Sequence, residues 1–307
     1  MAITTDAIKE LREKTQAGMM DCKKALTECN GDMDAATDWL RMKGLSAAVK
    51  KSGRVASEGL VAVERNKDGT KGVLIEINSE TDFASKSADF QNLVSNTVAI
   101  ALNTTTDVEV LKETKCPKTG KTVQEIIQEK VGVIGENMQL RRSAELTGDV
   151  VVTYLHNVIS AGLGKIGVIV SLETDGDKDK VAAFGKQIAM HVAAAKPEAL
   201  SAEDLDEAVV ERERNVLTEQ ARESGKPEEV IAKMIEGRIR KFYAEVTLLE
   251  QAFVIDGKTP VKQVVQEKEK ELGCSIKITG YVRFGLGEGI EKKEEDFAAE
   301  VAKAARG

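Results

Sequence analysis

The stretch "GLVAVERNKDGTKGVLIEINSETDF", residues 59–83, decides how the chain is read. Two runs rich in Val, Ile and Leu flank Asp68-Gly69, a dipeptide suited to the left-handed backbone of a tight hairpin turn. The second run meets Thr81-Asp82-Phe83, after which Phe90, Leu93, Val94, Thr97, Val98 and Ala101 recur at helical spacing. The local order is strand, strand, helix. Phe83 is out of place in it, because turns favour small polar residues.

The same order returns ninety-odd positions later. "VVVTYLH" (150–156) and "GVIVSLETDGD" (167–177) are two more strand-like runs, and Val181, Phe184, Ile188, Ala189 and Val192 form a second helical stripe. Both copies carry Thr-Asp after the second strand, as expected for an internal duplication whose two units pack together. After Thr-Asp one copy has Phe83 and the other Gly176, so a turn of this kind does not require an aromatic. Two readings stay open: Phe83 packs beneath its own helix, or it projects as a wedge into something else.

Outward from this core, residues 1–52 predict a three-helix bundle. Its faces are Ile8 and Leu11; Cys22, Ala25, Leu26 and Cys29; and Met33, Ala36, Trp39 and Leu40, the last opened by Asn30-Gly31-Asp32. Met19 and Met20 are placed on a loop ahead of an Asp21 cap. Methionines there serve as core filler or as an adaptable contact surface. "KGLSAAVKKSGRVASEG" (43–59) reads as a polar, small-residue linker, with residues 53–58 as the boundary.

The core is expected to comprise residues 59–148 and a second unit, 149–196 with 252–285. Between the parts of the latter, residues 197–251 predict an antiparallel helical hairpin. It carries a Ser201-Ala-Glu-Asp cap signal and a break at Ser224-Gly225-Lys226-Pro227. Its apolar residues are sparse, which suits a solvated arm; pairing with a second copy or docking on a partner is the alternative. "SIKITGYVRF" (275–284) predicts a last strand with Ile276, Ile278, Val282 and Phe284 on one face. Residues 286–307 close with a helix carrying Phe297, Ala298, Val301 and Ala305. The expected fold class is α+β with antiparallel strands.

Composition narrows the function. At 307 residues the chain has room for two or three domains, and its net charge of −7 speaks against a phosphate-neutralising nucleic-acid binder. Cys22, Cys29, Cys116 and Cys274 form no CxxC pair and suggest neither a zinc site nor a disulfide framework, so a reducing compartment is expected. No run approaches the roughly 18 apolar residues of a membrane span, and "MAITTDAIKELREK" resembles neither a signal nor a transit peptide. A cytoplasmic protein without membrane contact is expected. "GLGKIG", Gly162–Gly167, matches GxGxxG in letters, but a strand-like run follows it where dinucleotide binding needs a helix. His156 and His191 lack a nucleophile or a metal-spaced partner, and no carboxylate pair can be placed across a cleft. No catalytic residue, cofactor or metal is expected.

Several long stretches together carry a resemblance: "ELREKTQAGMMDCKKALTECNGDMDAA" (10–36), "EINSETDF" (76–83), "IGENMQLRR" (134–142), "IAMHVAAAKPE" (188–198) with "SGKP" (224–227), and "RFGLGEGIEK" (283–292) with "DFAAEVA" (296–302). Over nearly its whole length the chain resembles the bacterial elongation factor Ts family. The resemblance implies a nucleotide exchange factor for the GTPase elongation factor Tu. It implies an N-terminal ubiquitin-associated-like bundle, a core of two related α/β subdomains, a coiled-coil hairpin and a C-terminal helical module. The family's Thr-Asp-Phe-Val loop is matched by Thr81, Asp82, Phe83 and Ala84, with Phe83 as a wedge that disturbs the magnesium and phosphate site of the GTPase. Met19, Met20 and Lys23 match a second contact region, and His156 matches a strand-end histidine that touches another part of the partner. Ala84 replaces the usual Val, Gln16 a usual Gly; "HNVISAGLGKIG" and "CPKTGKTVQ" are longer than in compact members. A competing reading is a ubiquitin-associated-type adaptor for a different protein, in which Phe83 would be dispensable. An enzyme using the core as a substrate domain would need a polar pocket with converging titratable groups.

Overall fold

The computed structural model describes residues 3–15, 17–223 and 227–291. Residues 59–83 fold as read: β1 (Glu58–Arg65) and β2 (Lys71–Ser79) pair antiparallel, and the carboxamide oxygen of Asn66 closes the turn by accepting the amides of Thr70 and Lys71. A second hairpin joins β4 (Val150–Ser160) to β5 (Leu163–Thr174). Gly162 lies in its turn with φ +76°, so the GxGxxG letters span a hairpin and not a helix entry. Two further strands complete the sheet. β3 (Met138–Thr147), for which the sequence pattern predicts no strand, pairs with β2, and β6 (Ile276–Gly285) pairs with β5.

These six strands form one antiparallel sheet in the order β3-β2-β1-β5-β4, with β6 also on β5. Along one edge of β5, Leu163 and Gly164 face β1, and Ile166 onward faces β6. So short a junction lets the sheet curl until its inner faces meet in a cluster of Val61, Val63, Leu74, Ile169 and Phe284. Two glycines permit this approach: a Cβ on Gly72 would lie 2.7 Å from Val151 Cγ1, and one on Gly167 2.5 Å from Leu74 Cδ1.

The outer face of β1–β3 is covered by α4 (Asp82–Lys86), α5 (Ala88–Asn103), α6 (Val108–Glu113) and α7 (Val123–Ile134), around Phe90, Leu93 and Ile127. That of β4–β6 is covered by α8 (Lys178–Ala195) and α11 (Val261–Leu272), around Phe184, Ile188 and Val261. Both predicted stripes are buried in full. Fully burying one such side chain contributes about 1.5–3 kcal/mol.

The β6 expectation needs correction. The register of β6 on β5 slips at Thr279, where a bulge inserts one residue. Ile276 and Ile278 therefore pack outward under the helices, while Val282 and Phe284 turn to the inner cluster.

The bundle consists of α1 (Thr5–Thr15), α2 (Met19–Glu28) and α3 (Met33–Lys51), closed on Leu11, Cys22, Ala25, Leu26 and Ala36. α3 runs to Lys51, just short of the expected 53–58 boundary, so residues 43–51 are helix and not the start of a linker. Gly44 and the alanines suggest flexibility in sequence, but small residues are also what a close helix crossing requires, and α3 lies against α7 there. Arg41 adds ion pairs to Glu125 and Glu129 of α7.

The inserted hairpin is α9 (Glu207–Arg222) and α10 (Glu228–Val246), whose Ala221, Ile231, Ile235 and Ile239 pack together with Leu217 and Tyr243. The Ser201 cap signal closes a short 3-10 turn, Ala202–Asp204, and Asp206 caps α9 itself. Ser224, Gly225 and Lys226 of the predicted break lie outside the described residues, as do Gln16 and the C-terminal helix with Phe297, Ala298, Val301 and Ala305. Among the described residues no helix is long and apolar enough to cross a membrane.

Candidate partner interface

Thr81 opens α4 as its N-cap residue in extended backbone, yet its hydroxyl does not cap the helix. Instead its amide and hydroxyl both donate to Glu136, at 2.9 Å to Oε2 and 2.6 Å to Oε1. Asp82 follows, and Lys86 one turn on donates to its Oδ2 at 2.7 Å; this bond holds the Asp82 carboxyl below its usual range. Ala84 and Ser85 are buried against the core, Ser85 Oγ donates to the Asp82 carbonyl, and Ser87 Oγ donates to the Ala84 carbonyl while accepting the Phe90 amide.

Between these fixed points Phe83 is 76% exposed, with Lys86 Nζ 5.3 Å from its ring centroid. Burial beneath its own helix is thereby overturned. In a single helical turn, positions 84 and 85 face inward and 83 faces out. An exposed ring forgoes about 2 kcal/mol of burial that a partner's pocket would supply.

The comparison with Gly176 also changes. A Cβ on Gly176 would lie 2.4 Å from Cys274 Sγ, and the carboxylate of Asp175 accepts the amide and hydroxyl of Ser275. The second turn is covered by the start of β6, so its glycine reflects crowding and not merely freedom from an aromatic.

Met19 and Met20 are 49% and 76% exposed, and Lys23 is exposed beside them. Their setting differs from the expected loop: α2 begins at Met19 behind the N-cap Gly18, and Asp21 lies in the first turn, paired with Lys43. Cys22, Ala25 and Leu26 take the inward face, which turns the methionines out.

His156 is exposed and pairs with Ile166 within β4, which continues to Ser160; it does not end the strand. Its ring stacks on Tyr154 at 6.4 Å between centroids. The longer hairpin carries exposed Val158 and Ile159 beyond it.

The three groups therefore sit on separate elements: α4 against β1, β2 and α5; α2 against α1 and α3; and β4 at one end of the sheet path. Among the described residues no hydrogen bond or ring contact joins them. The other histidine, His191, is fully buried, with Nδ1 accepting the Val254 amide at 3.1 Å and Nε2 3.0 Å from Gln251 Oε1. With Nδ1 accepting, Nε2 carries the proton and donates.

A cleft of about 300 Å³ lies between the bundle and α7, lined by Lys14, Arg41, Lys43 and Gly132 among others. Its five cations, Lys14, Arg41, Lys43, Lys121 and Lys130, pair with Asp34, Glu125, Asp21, Glu129 and Asp89, which leaves no converging set of unpaired charges among them. Among the described residues no group of three His, Cys, Asp or Glu side chains could hold a metal ion. Glu136, Glu80 and Asn137 were not legible as site residues; "IGENMQLRR" holds two of them, and two polar residues between a helix and a strand are its local signal.

Comparison with known proteins matches residues 80–288 to the family described as Elongation factor TS. The chain is 58% identical over 307 residues to elongation factor Ts of Paracoccus denitrificans, with 100% of both chains covered. It is 56% identical over 305 residues to that of Rhodospirillum centenum, with 99% of each covered. The Thr81–Ala84 turn and His156 fall inside the matched span, the exposed methionines fall within the end-to-end relatives, and the chain belongs to the elongation factor Ts family.

Proposed function

We propose that this protein is a guanine nucleotide exchange factor for the GTPase elongation factor Tu, acting in translation elongation without covalent chemistry. The observation that carries this reading is the exposed Phe83 on a turn fixed at both ends. Thr81, Asp82, Phe83 and Ala84 form the element that enters the GTPase. The ring disturbs the groups that hold magnesium, and the β-phosphate of GDP loses its main electrostatic partner. Met19, Met20 and Lys23 supply a second contact and His156 a third.

The energetics are those of linkage. A factor that prefers the nucleotide-free GTPase to its GDP form weakens GDP binding by the same ratio, about 1.4 kcal/mol for each tenfold.

In this reading residues 1–52 are a ubiquitin-associated-like bundle. The strand-strand-helix units of 59–148 and of 149–196 with 252–285 are related halves, 197–251 is a coiled-coil insertion and 286–307 a C-terminal module. The hairpin's isoleucines close on its own partner helix, leaving Val209, Val216 and Val230 as its exposed large apolar side chains among the described residues. A one-to-one complex is thus a simpler arrangement than a homodimer through the hairpin. The exposed Met19 and Met20 favour, as a second reading, an adaptor that binds another protein through the bundle.

The deciding experiment is release of fluorescent GDP from purified elongation factor Tu at fixed magnesium. Acceleration by catalytic amounts of this protein, lost on Phe83→Ala, supports exchange. Without acceleration the adaptor reading takes its place.

A further inference from the structure

A wedge acts well only if it is aimed before it meets its target, because every torsion left free in the unbound state must be frozen on insertion. α4 is too short to hold itself: one turn makes few hydrogen bonds for the torsions it fixes. Its far end is secured by buried Ala84 and Ser85 and by Ser87. Its near end is secured by a residue from elsewhere. Glu136 receives both donors of Thr81, and next to it the Asn137 amide donates to Glu80 Oε1 at 2.6 Å. Residues 80–81 and 136–137 therefore exchange donors and acceptors crosswise. Gly135, with φ +87° at the end of α7, supplies the left-handed turn that brings Glu136 to this point.

The junction reaches a third segment. Asn137 Nδ2 donates to the Arg54 carbonyl at 2.7 Å, Arg54 pairs with Glu80, and Lys51 Nζ donates to the Gly135 carbonyl. The chain leaving the bundle is thereby fastened to the base of the Phe83 turn.

From this geometry we infer that Glu136 is a positioning residue for exchange: its carboxylate, taking both the amide and the hydroxyl of Thr81, sets the direction in which Phe83 projects. The inference rests on the wedge reading above. Glu136 needs no contact with the GTPase, and acts through the ring.

The test uses the full-length protein and elongation factor Tu loaded with fluorescent GDP, comparing Glu136→Ala, Glu136→Gln, Phe83→Ala and the double variant Phe83→Ala/Glu136→Ala. With Glu136→Ala, the maximal release rate at saturating factor falls about tenfold, because the ring must then be ordered on insertion, while the concentration for half-maximal stimulation changes little. Glu136→Gln keeps one oxygen to accept from Thr81 and recovers part of the rate. The double variant is no slower than Phe83→Ala alone, because a positioning residue has nothing left to position.

A Glu136→Ala protein with full maximal rate overturns the positioning role and leaves the exchange reading standing, provided Phe83→Ala is slow. A double variant whose loss equals the product of the two single losses overturns it as well, since Glu136 would then act independently of the ring. If the unsubstituted protein does not stimulate release, both readings fall.

Discussion

Gly132 on α7 meets Gly44 on α3 so closely that a Cβ on Gly132 would lie 2.8 Å from the Gly44 Cα, whereas a Cβ on Gly44 would lie 3.8 Å from the Gly132 Cα. The contact seats the bundle on the core, and it is asymmetric. Gly132→Ala is expected to force the helices apart, destabilising the protein by about 1–3 kcal/mol as overpacking does. Gly44→Ala should be tolerated and gain up to about 1 kcal/mol of helix propensity. Thermal unfolding of the two variants checks this; equal midpoints would show that the crossing is not as tight as described.

Phe83→Ala should leave stability within about 0.5 kcal/mol, because a mostly exposed ring contributes little to the core. Stimulated GDP release should nevertheless slow. Loss of unfolding midpoint in step with exchange would mark Phe83 as a core residue and remove the wedge. Gly176→Ala should behave oppositely, losing about 1–3 kcal/mol because its new methyl meets Cys274, with exchange unchanged well below the midpoint.

His191→Ala should cost about 3 kcal/mol, leaving the Val254 amide and the Gln251 side chain without their buried partner and a cavity beside Phe253. The same site gives a pH dependence. Burial lowers the His191 pKa below its usual 6.5. The folded state therefore holds fewer protons than the unfolded state, and stability is fully present above pH 6.5. It is lost as pH falls from there through the lowered folded value. Denaturant midpoints between neutral and mildly acidic pH should fall for the parent protein, and a flat profile would contradict the buried neutral imidazole.

Glu76 is fully buried and receives Arg141, Arg142, Asn78 Nδ2 and the Gly287 amide. Its removal takes the carboxylate from two arginines and leaves them only the carbonyls of Glu288 and Gly285 as acceptors, so Glu76→Ala is expected to destabilise by about 3 kcal/mol. Asp34→Ala, which breaks the exposed pair with Lys14, should cost at most about 1 kcal/mol. Chemical unfolding of both variants discriminates; similar losses would mean that Glu76 is not the internal tie between β2, β3 and the Gly287 turn.

The parts of the fold that could be read from the chain are those governed by neighbours in sequence. Asp68-Gly69 announced a hairpin, and the stripes from Phe90 to Ala101 and from Val181 to Val192 announced buried helices, because turn chemistry and side-chain period are local. β3 was missed because Arg141, Arg142 and Glu145 disguise its period; their partners lie on β2, at Glu76 and Lys71. The length of α3 was missed because the small residues that let it cross α7 look like a linker until α7 is present.

The same division holds at the site. Sequence by itself determined that Thr81-Asp82-Phe83 breaks the rules of an ordinary turn, and that the chain resembles the elongation factor Ts family. It left undecided whether Phe83 points in or out, which face of the sheet each half of β6 serves, and what holds the turn. Those answers depend on residues such as Glu136, 55 positions from Thr81, and Cys274 beside Gly176. Periodicity records which side of an element is apolar, while only the packed chain brings distant donors, acceptors and steric limits to one point and so decides the direction of a side chain.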